Sequence, residues 1–225
     1  MKRILITLGL ALLLAMLLPA TSFGNNWNKG VMPPNQPAYG LTYAEWSARW
    51  WQWSTAMIMD NHPLADTAGC SRGQFGPVWF LGGNFTGASG GTRKCTVPAG
   101  KALFFPIVNV DCSSLEQAPF YGGTPQERRA CARAMGDTAY GLSVQIDGVS
   151  LQFLTKYRAT SPNLVFAVAP SPNVLGVGAG SGELVADGYY LLLEPLASGQ
   201  HVIHFVGSFG TPAFTVEETY YITVK

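Results

Sequence analysis

Between Thr215 and Val224 the side chains alternate in character: Val216, Tyr220, Ile222 and Val224 keep one parity, while Thr215, Glu217, Thr219, Tyr221 and Thr223 keep the other. Successive residues of a β-strand face opposite sides of a sheet, so this period of two describes a strand with one buried and one wet face. The same period flanks Asp147-Gly148, a dipeptide suited to the tight turn of a hairpin. Val144 and Ile146 fall on one side with Val149, Leu151 and Phe153, and Ser143, Gln145, Ser150 and Gln152 fall opposite. Apolar runs of strand length recur at Pro77–Leu81, Cys95–Val97, Ala102–Val110, Leu164–Val168, Tyr189–Glu194 and His201–Val206. The 26 Gly and 15 Pro supply the turns between them. The pattern predicts a mostly β, single-domain, two-sheet β-sandwich of jelly-roll-like character.

Two helices interrupt the strands. Thr42 with Glu45 three residues on forms a capping box, which predicts a helix over residues 42–59. Trp46, Trp50, Trp53 and Met57 recur at helical spacing on one face, expected to pack on the body of the domain, with an exposed platform for stacking sugars as the alternative. Thr124, Pro125 and Glu127 form a second capping box, with Pro at the first helical position, and start a helix to about residue 136.

The chain opens with Met1-Lys2-Arg3, an apolar run from Ile4 to Leu18, and a small-residue exit at Ser22 and Gly24. These features predict a signal peptide over residues 1–24, an extended lead-in over 25–41 and one domain over 42–225. The apolar run is shorter than the roughly 20 residues that span a bilayer, so no stable membrane insertion is expected. Loss of Lys2 and Arg3 leaves twelve basic against thirteen acidic residues, dispersed along the chain, which argues against nucleic acid as a partner. In an exported protein the four cysteines, Cys70, Cys95, Cys112 and Cys131, read as two disulfides with three possible pairings. The local pairs Cys70–Cys95 and Cys112–Cys131 are preferred, since each spans a short excursion between elements. No C-x-x-C spacing supports zinc, and no cofactor is expected.

Several motifs invite chemistry. Gly87-Ala88-Ser89-Gly90-Gly91 fits G-x-S-x-G, but the segment after it reads as a strand where a nucleophile elbow needs a helix. Gly176, Gly178, Gly180 and Gly182 lack the following Lys and helix of a phosphate loop and are expected to form a surface loop. His201 and His204, three apart in a strand, face opposite ways and cannot chelate together without a bulge. Asp60, His62 and Asp66 read as turn chemistry after the first helix.

The segments Gly73–Leu81 (GQFGPVWFL), Cys95–Ile107 (CTVPAGKALFFPI) and Gln200–Phe205 (QHVIHF) resemble a family of exported bacterial β-rich proteins to which no activity is attached. The resemblance implies export and a β-rich fold. Independently of it, a mostly β exported domain with many Tyr and Trp, low charge and no catalytic constellation leads to the expectation of a non-catalytic binding protein of the cell envelope or extracellular space, with a glycan the first candidate partner and another envelope component the alternative. Tyr157, Arg158, Glu194, His204 and Tyr221 are the candidate ligand-binding residues, expected on one polar sheet surface. The alternatives are a polysaccharide lyase using Tyr157, Arg158 and His204, a glycosidase for which Glu194 and Glu217 are a nominal pair, and a structural envelope protein.

Overall fold

The computed structural model describes residues 28–65, 69–85, 87 and 90–225. The expected leader, Asp66 and Ser89 lie outside the described residues. Helix α1 (Tyr43–Thr55) begins at the expected capping box: the Thr42 hydroxyl accepts from the Glu45 amide at 3.3 Å, and the Glu45 carboxylate accepts from the Thr42 amide at 2.8 Å. It ends before the expected Met59. The Thr55 hydroxyl donates back to the Trp51 carbonyl, and Ile58 and Met59 are drawn into backbone pairing with Asn173 and Pro172. Helix α2 (Pro125–Gly136) is capped in the same way by Thr124 and Glu127.

Among the described residues ten strands build two five-stranded sheets. They are β1 (Val78–Phe80), β2 (Gly91–Val97), β3 (Ala102–Ser113), β4 (Tyr140–Ile146), β5 (Val149–Ser150), β6 (Arg158–Thr160), β7 (Leu164–Val168), β8 (Gly180–Leu193), β9 (Gly199–Phe209) and β10 (Phe214–Val224). In the first sheet β8 is central, with β3 and then β1 on one side and β6 and β7 end to end on the other. The second runs β2-β10-β9-β4-β5. The β1–β3 and β2–β10 pairs are parallel. The inner faces meet where the Phe105 and Phe205 rings lie tilted against each other, 5.0 Å between centres, and one apolar core joins both sheets to α1.

Helix α1 covers the other face of the first sheet. All of Trp46, Trp50, Trp51 and Trp53 are buried there, against Phe80 and Phe104, so they present no stacking platform. Burying an aromatic side chain contributes roughly 1.5–3 kcal/mol, so this row is a major anchor of the outer layer. Helix α2 packs on the inner side of the first sheet, around Cys112, Ala132 and Val185. The disulfides are Cys70–Cys95 and Cys112–Cys131.

Two local expectations need correction. Gly180 and Gly182 are not loop residues: β8 starts at Gly180, and it passes so close to the turn after β3 that a Cβ at Gly182 would lie 2.6 Å from Leu115 Cγ. The hairpin at Asp147-Gly148 forms, with positive φ at both turn residues (52° and 79°). Its second strand stops after two residues, however, leaving Val149 and Phe153 exposed although the alternation groups them with Val144, which is buried.

Candidate functional site

Strand β3 is buried almost throughout, and its residues Pro106 to Asp111 all line a single cleft of about 930 Å³. Side chains alternate across a strand, so six consecutive residues can border one cavity only if that cavity runs along the strand's edge. The pairing explains the opening. On this edge β1 gives out at the bond from the Leu81 amide to the Phe104 carbonyl, and among the described residues the next backbone contact is Ser113 with Phe120 and Gly122. Between them the register slips by one residue, from Pro106 to Val108.

The two sides of the cleft differ. Asn109 and Asp111 share a face with their cross-strand partners Gly188 and Ala186, on the side covered by α1, where Trp50, Trp51, Val174 and Leu175 complete the wall. Val108 and Val110 face the opposite side, towards Ala134 and Met135 of α2 and Phe209, Phe214 and Val216 of the second sheet.

The polar wall holds a carboxyl pair. Asp111 is 5% exposed, and the Glu116 carboxyl folds back onto it from the turn after β3. Buried Ser113 shapes that turn, its hydroxyl oxygen accepting from the amides of Leu115 (3.2 Å) and Glu116 (3.1 Å). Burial, then the charge of Glu116 and the hydrogen bond to it, hold the Asp111 carboxyl well above the usual carboxylate range. Burial raises Glu116 too, against hydrogen bonds from Ser113 and Asp111 that lower it. Two carboxyls in contact within apolar surroundings share a proton. Deeper in the same wall the Trp51 indole N–H and the Asn109 amide gather near the Tyr190 hydroxyl without a hydrogen bond of good geometry.

A raised acid binds its proton more tightly folded than unfolded. Its contribution is therefore intact below the unfolded pKa of about 4 and is lost as pH rises towards the folded value. Asp111→Asn should raise the melting temperature relative to wild type at pH 7, by about 2–4 °C per kcal/mol gained, with the difference shrinking towards pH 4.5. Thermal melts across that range check this, and a difference that stays constant with pH would rule it out.

One rim of the cleft is held by a second polar node. Arg93 of β2 lies inward, 3% exposed, across from Tyr220. Its guanidinium donates to the carbonyls of Gly82 (2.5 Å), Gly83 (3.2 Å) and Leu64 (2.8 Å) and to the Tyr220 hydroxyl (2.9 Å). It also pairs with Glu218, which has no exposure, at 3.2 Å. Gly91 lies opposite Glu218, where a Cβ would come within 2.4 Å of the carboxylate oxygens. The node fixes residues 82–83, which lead into the rim residues Asn84 and Phe85.

The five expected ligand residues do not form one surface, because strand order sends them to different sheets. Tyr157 is buried beside the first sheet, its hydroxyl accepting from the Asn28 amide at 3.2 Å. Arg158 pairs with Asp187 (2.8 Å) and Asp137 (2.6 Å), tying β6 to β8 and the end of α2. Glu194 is exposed just beyond β8. His204 and Tyr221 do share a face, the outer one of the second sheet, where His204 Nδ1 lies 3.0 Å from the Thr219 hydroxyl and Nε2 lies 3.9 Å from Glu217. The lyase set of Tyr157, Arg158 and His204 is split in the same way, as is Glu194 from Glu217.

The other histidines have structural partners. The His201 ring lies 2.7 Å from Asp147, whose hydrogen bond raises its pKa, and on the opposite side of β9 from His204. His62 is fully buried, and burial lowers its pKa. Its Nδ1 accepts from the Leu64 amide and its Nε2 lies 2.9 Å from the Ser54 carbonyl, which fixes the neutral Nε2–H form and occupies both nitrogens. Among the described residues no three His, Cys, Asp or Glu side chains gather as a metal site.

Asp111, Glu116, Arg93 and Glu218 were not singled out from the sequence, although signals existed. Glu218 keeps the parity of Val216 and Tyr220, Arg93 keeps that of Cys95 and Val97, and Asp111 interrupts an apolar strand.

No family model and no curated protein matches the chain. Two solved structures are faintly similar: the solution structure of amebosin, at 14% identity and a TM-score of 0.22, and PbICP-C in complex with falcipain-2, at 13% and 0.25. Each comparison covers 67% of this chain and 100% of the other. Likeness at this level carries no argument for the site.

Proposed function

We propose that this chain is an exported, non-catalytic binding protein whose ligand occupies the cleft along β3. The ligand has an apolar body and one hydrogen-bond-donating or cationic group seated at Asp111 and Glu116. The observation that carries the reading is a carboxyl pair, Asp111 buried and Glu116 half-buried, in the wall of an otherwise largely apolar cleft of about 930 Å³, the combination expected of a small-molecule site. Catalysis is less well supported. A glycosidase sets its carboxyls about 5 Å or more apart across the bond it cleaves, whereas these two are in contact. The two disulfides suit an oxidising compartment and so support export.

The test is binding of an apolar fluorescent naphthylamine, followed by displacement with alkyl amines, alcohols and carboxylates. Ala134 is exposed on α2 where it borders the cleft, so Ala134→Trp should fill the space without disturbing the core and weaken binding by about tenfold or more. Tyr221→Ala, on the outer sheet face, should change nothing. Undiminished binding to Ala134→Trp would refute the cleft as the site.

A glycan remains the second reading, supported by a separate groove of about 370 Å³ bordered by Tyr140 and Phe153. Both rings are about half exposed (52% and 51%), and Phe153 has φ of 55°, unusual for a residue other than glycine. A glycan array hit that survives Tyr140→Ala would count against this groove.

A further inference from the structure

The edge of β3 can be read at the level of its backbone. In a strand the N–H and C=O groups of alternate residues point to the same side. Ser113 points away from β8, since its amide donates to the Phe120 carbonyl and its carbonyl accepts from Gly122, both at 2.9 Å. Counting back in twos, Asp111 and Asn109 also present their backbone groups to the cleft. The slip at Ile107 ends this parity, and Pro106 has no N–H to offer. The opening is therefore a short length of strand edge, about three residues long, that pairs with no strand among the described residues, with Trp51 and Leu175 on one side, Met135 and Val216 on the other, and two carboxyls at one end.

We propose that the cleft binds an extended polypeptide segment, which adds as a short strand to the backbone of Asn109 and Asp111 and places a lysine or N-terminal amine at Asp111 and Glu116. The proposal rests on the cleft being the binding site and names its ligand class. Main-chain hydrogen bonds supply affinity in strand addition, and pockets for alternate side chains supply selectivity. The two sides here fit that division. One side chain of the added strand would lie against Trp51 and Leu175, and the next against Met135 and Val216. A small amphipathic amine could satisfy the carboxyls and the apolar side chains but would leave unused the backbone groups of Asn109 and the carbonyl of Asp111, whose amide reaches its own carboxyl.

The experiment uses the intact oxidised protein and a fluorescein-labelled hexapeptide, Val-Lys-Val-Phe-Val-Val, read by anisotropy. Two further peptides carry backbone N-methyl groups at the odd or at the even positions. A strand shows one edge to β3, so one methylated series should lose about tenfold or more in affinity while the other keeps it. Replacing lysine by norleucine should weaken binding to wild type but not to Asp111→Asn. Equal affinity for both methylated series, equal competition by hexylamine, or no binding of the peptide would each overturn strand addition. If the naphthylamine still binds wild type and is still lost in Ala134→Trp, the cleft reading survives that failure. If the naphthylamine binding is indifferent to Ala134→Trp, both readings fall.

Discussion

Replacing Arg93 by methionine should lower stability by about 3–5 kcal/mol, which for a chain of this size is a fall of roughly 6–20 °C in melting temperature. The size follows from what the guanidinium does. It is 3% exposed and serves the carbonyls of Leu64, Gly82 and Gly83, the Tyr220 hydroxyl and the Glu218 carboxylate. Methionine retains the apolar stem but removes the charge from beside a carboxylate with no exposure. The double variant Arg93→Met with Glu218→Leu should recover a large part of the loss, because a buried ion pair exchanged whole for apolar residues is often close to neutral. Thermal melts of wild type, the two single variants and the double variant form a cycle that measures the coupling. A single variant within about 1 kcal/mol of wild type would show that the node is not a stabilising tie.

The second large effect concerns the disulfides. Cys70–Cys95 closes a separation of 25 residues and Cys112–Cys131 one of 19. Chain-entropy arguments give each a contribution of about 3 kcal/mol through restriction of the unfolded chain. Serine at Cys112 and Cys131 should therefore lower the melting temperature by roughly 6–12 °C. It should also loosen the cleft, because this bridge joins β3 to α2 and Cys131 borders the cavity. Serine at Cys70 and Cys95 should give a similar loss of stability without that second effect, since neither residue borders the cleft. Melts and naphthylamine titrations on the two variants separate these outcomes. Equal ligand affinity in both would sever the link between the Cys112–Cys131 bridge and the site.

The sequence made the framework of the fold legible because each device involved acts locally. The capping boxes at Thr42 and Thr124 need only three residues of chain, and the turn at Asp147-Gly148 only two. The alternation in β10 shows its faces without reference to any partner. The local disulfide pairing proved legible for the same reason. Strand order was not legible, and the site depends on it. Arg158 and His204 carry chemistry that looks compatible on paper, but β6 pairs with β8 while β9 pairs with β4 and β10. Asp111 meets Glu116 through a turn held by Ser113, and nothing in the spacing alone marks that turn as buried. The long strand β8 was hidden because glycine has poor strand propensity, and its use here depends on the closeness of Leu115.

The position of β10 has a consequence for how the molecule assembles. It lies between β9, joined to it by a short turn at residues 210–213, and β2, which lies far back along the chain. The β9–β10 hairpin can close quickly, but β2 must cross a long loop before its pairing is rewarded. Among the pairs of strands this seam closes the longest stretch of chain, so it is expected to be the last strand-to-strand pairing completed, and it carries Arg93 against Tyr220 and Glu218. Until the seam closes, both charges stay hydrated and the Gly82–Gly83 segment lacks its anchor. The rim of the cleft is thus set at the end of folding, when the charged pair loses its water.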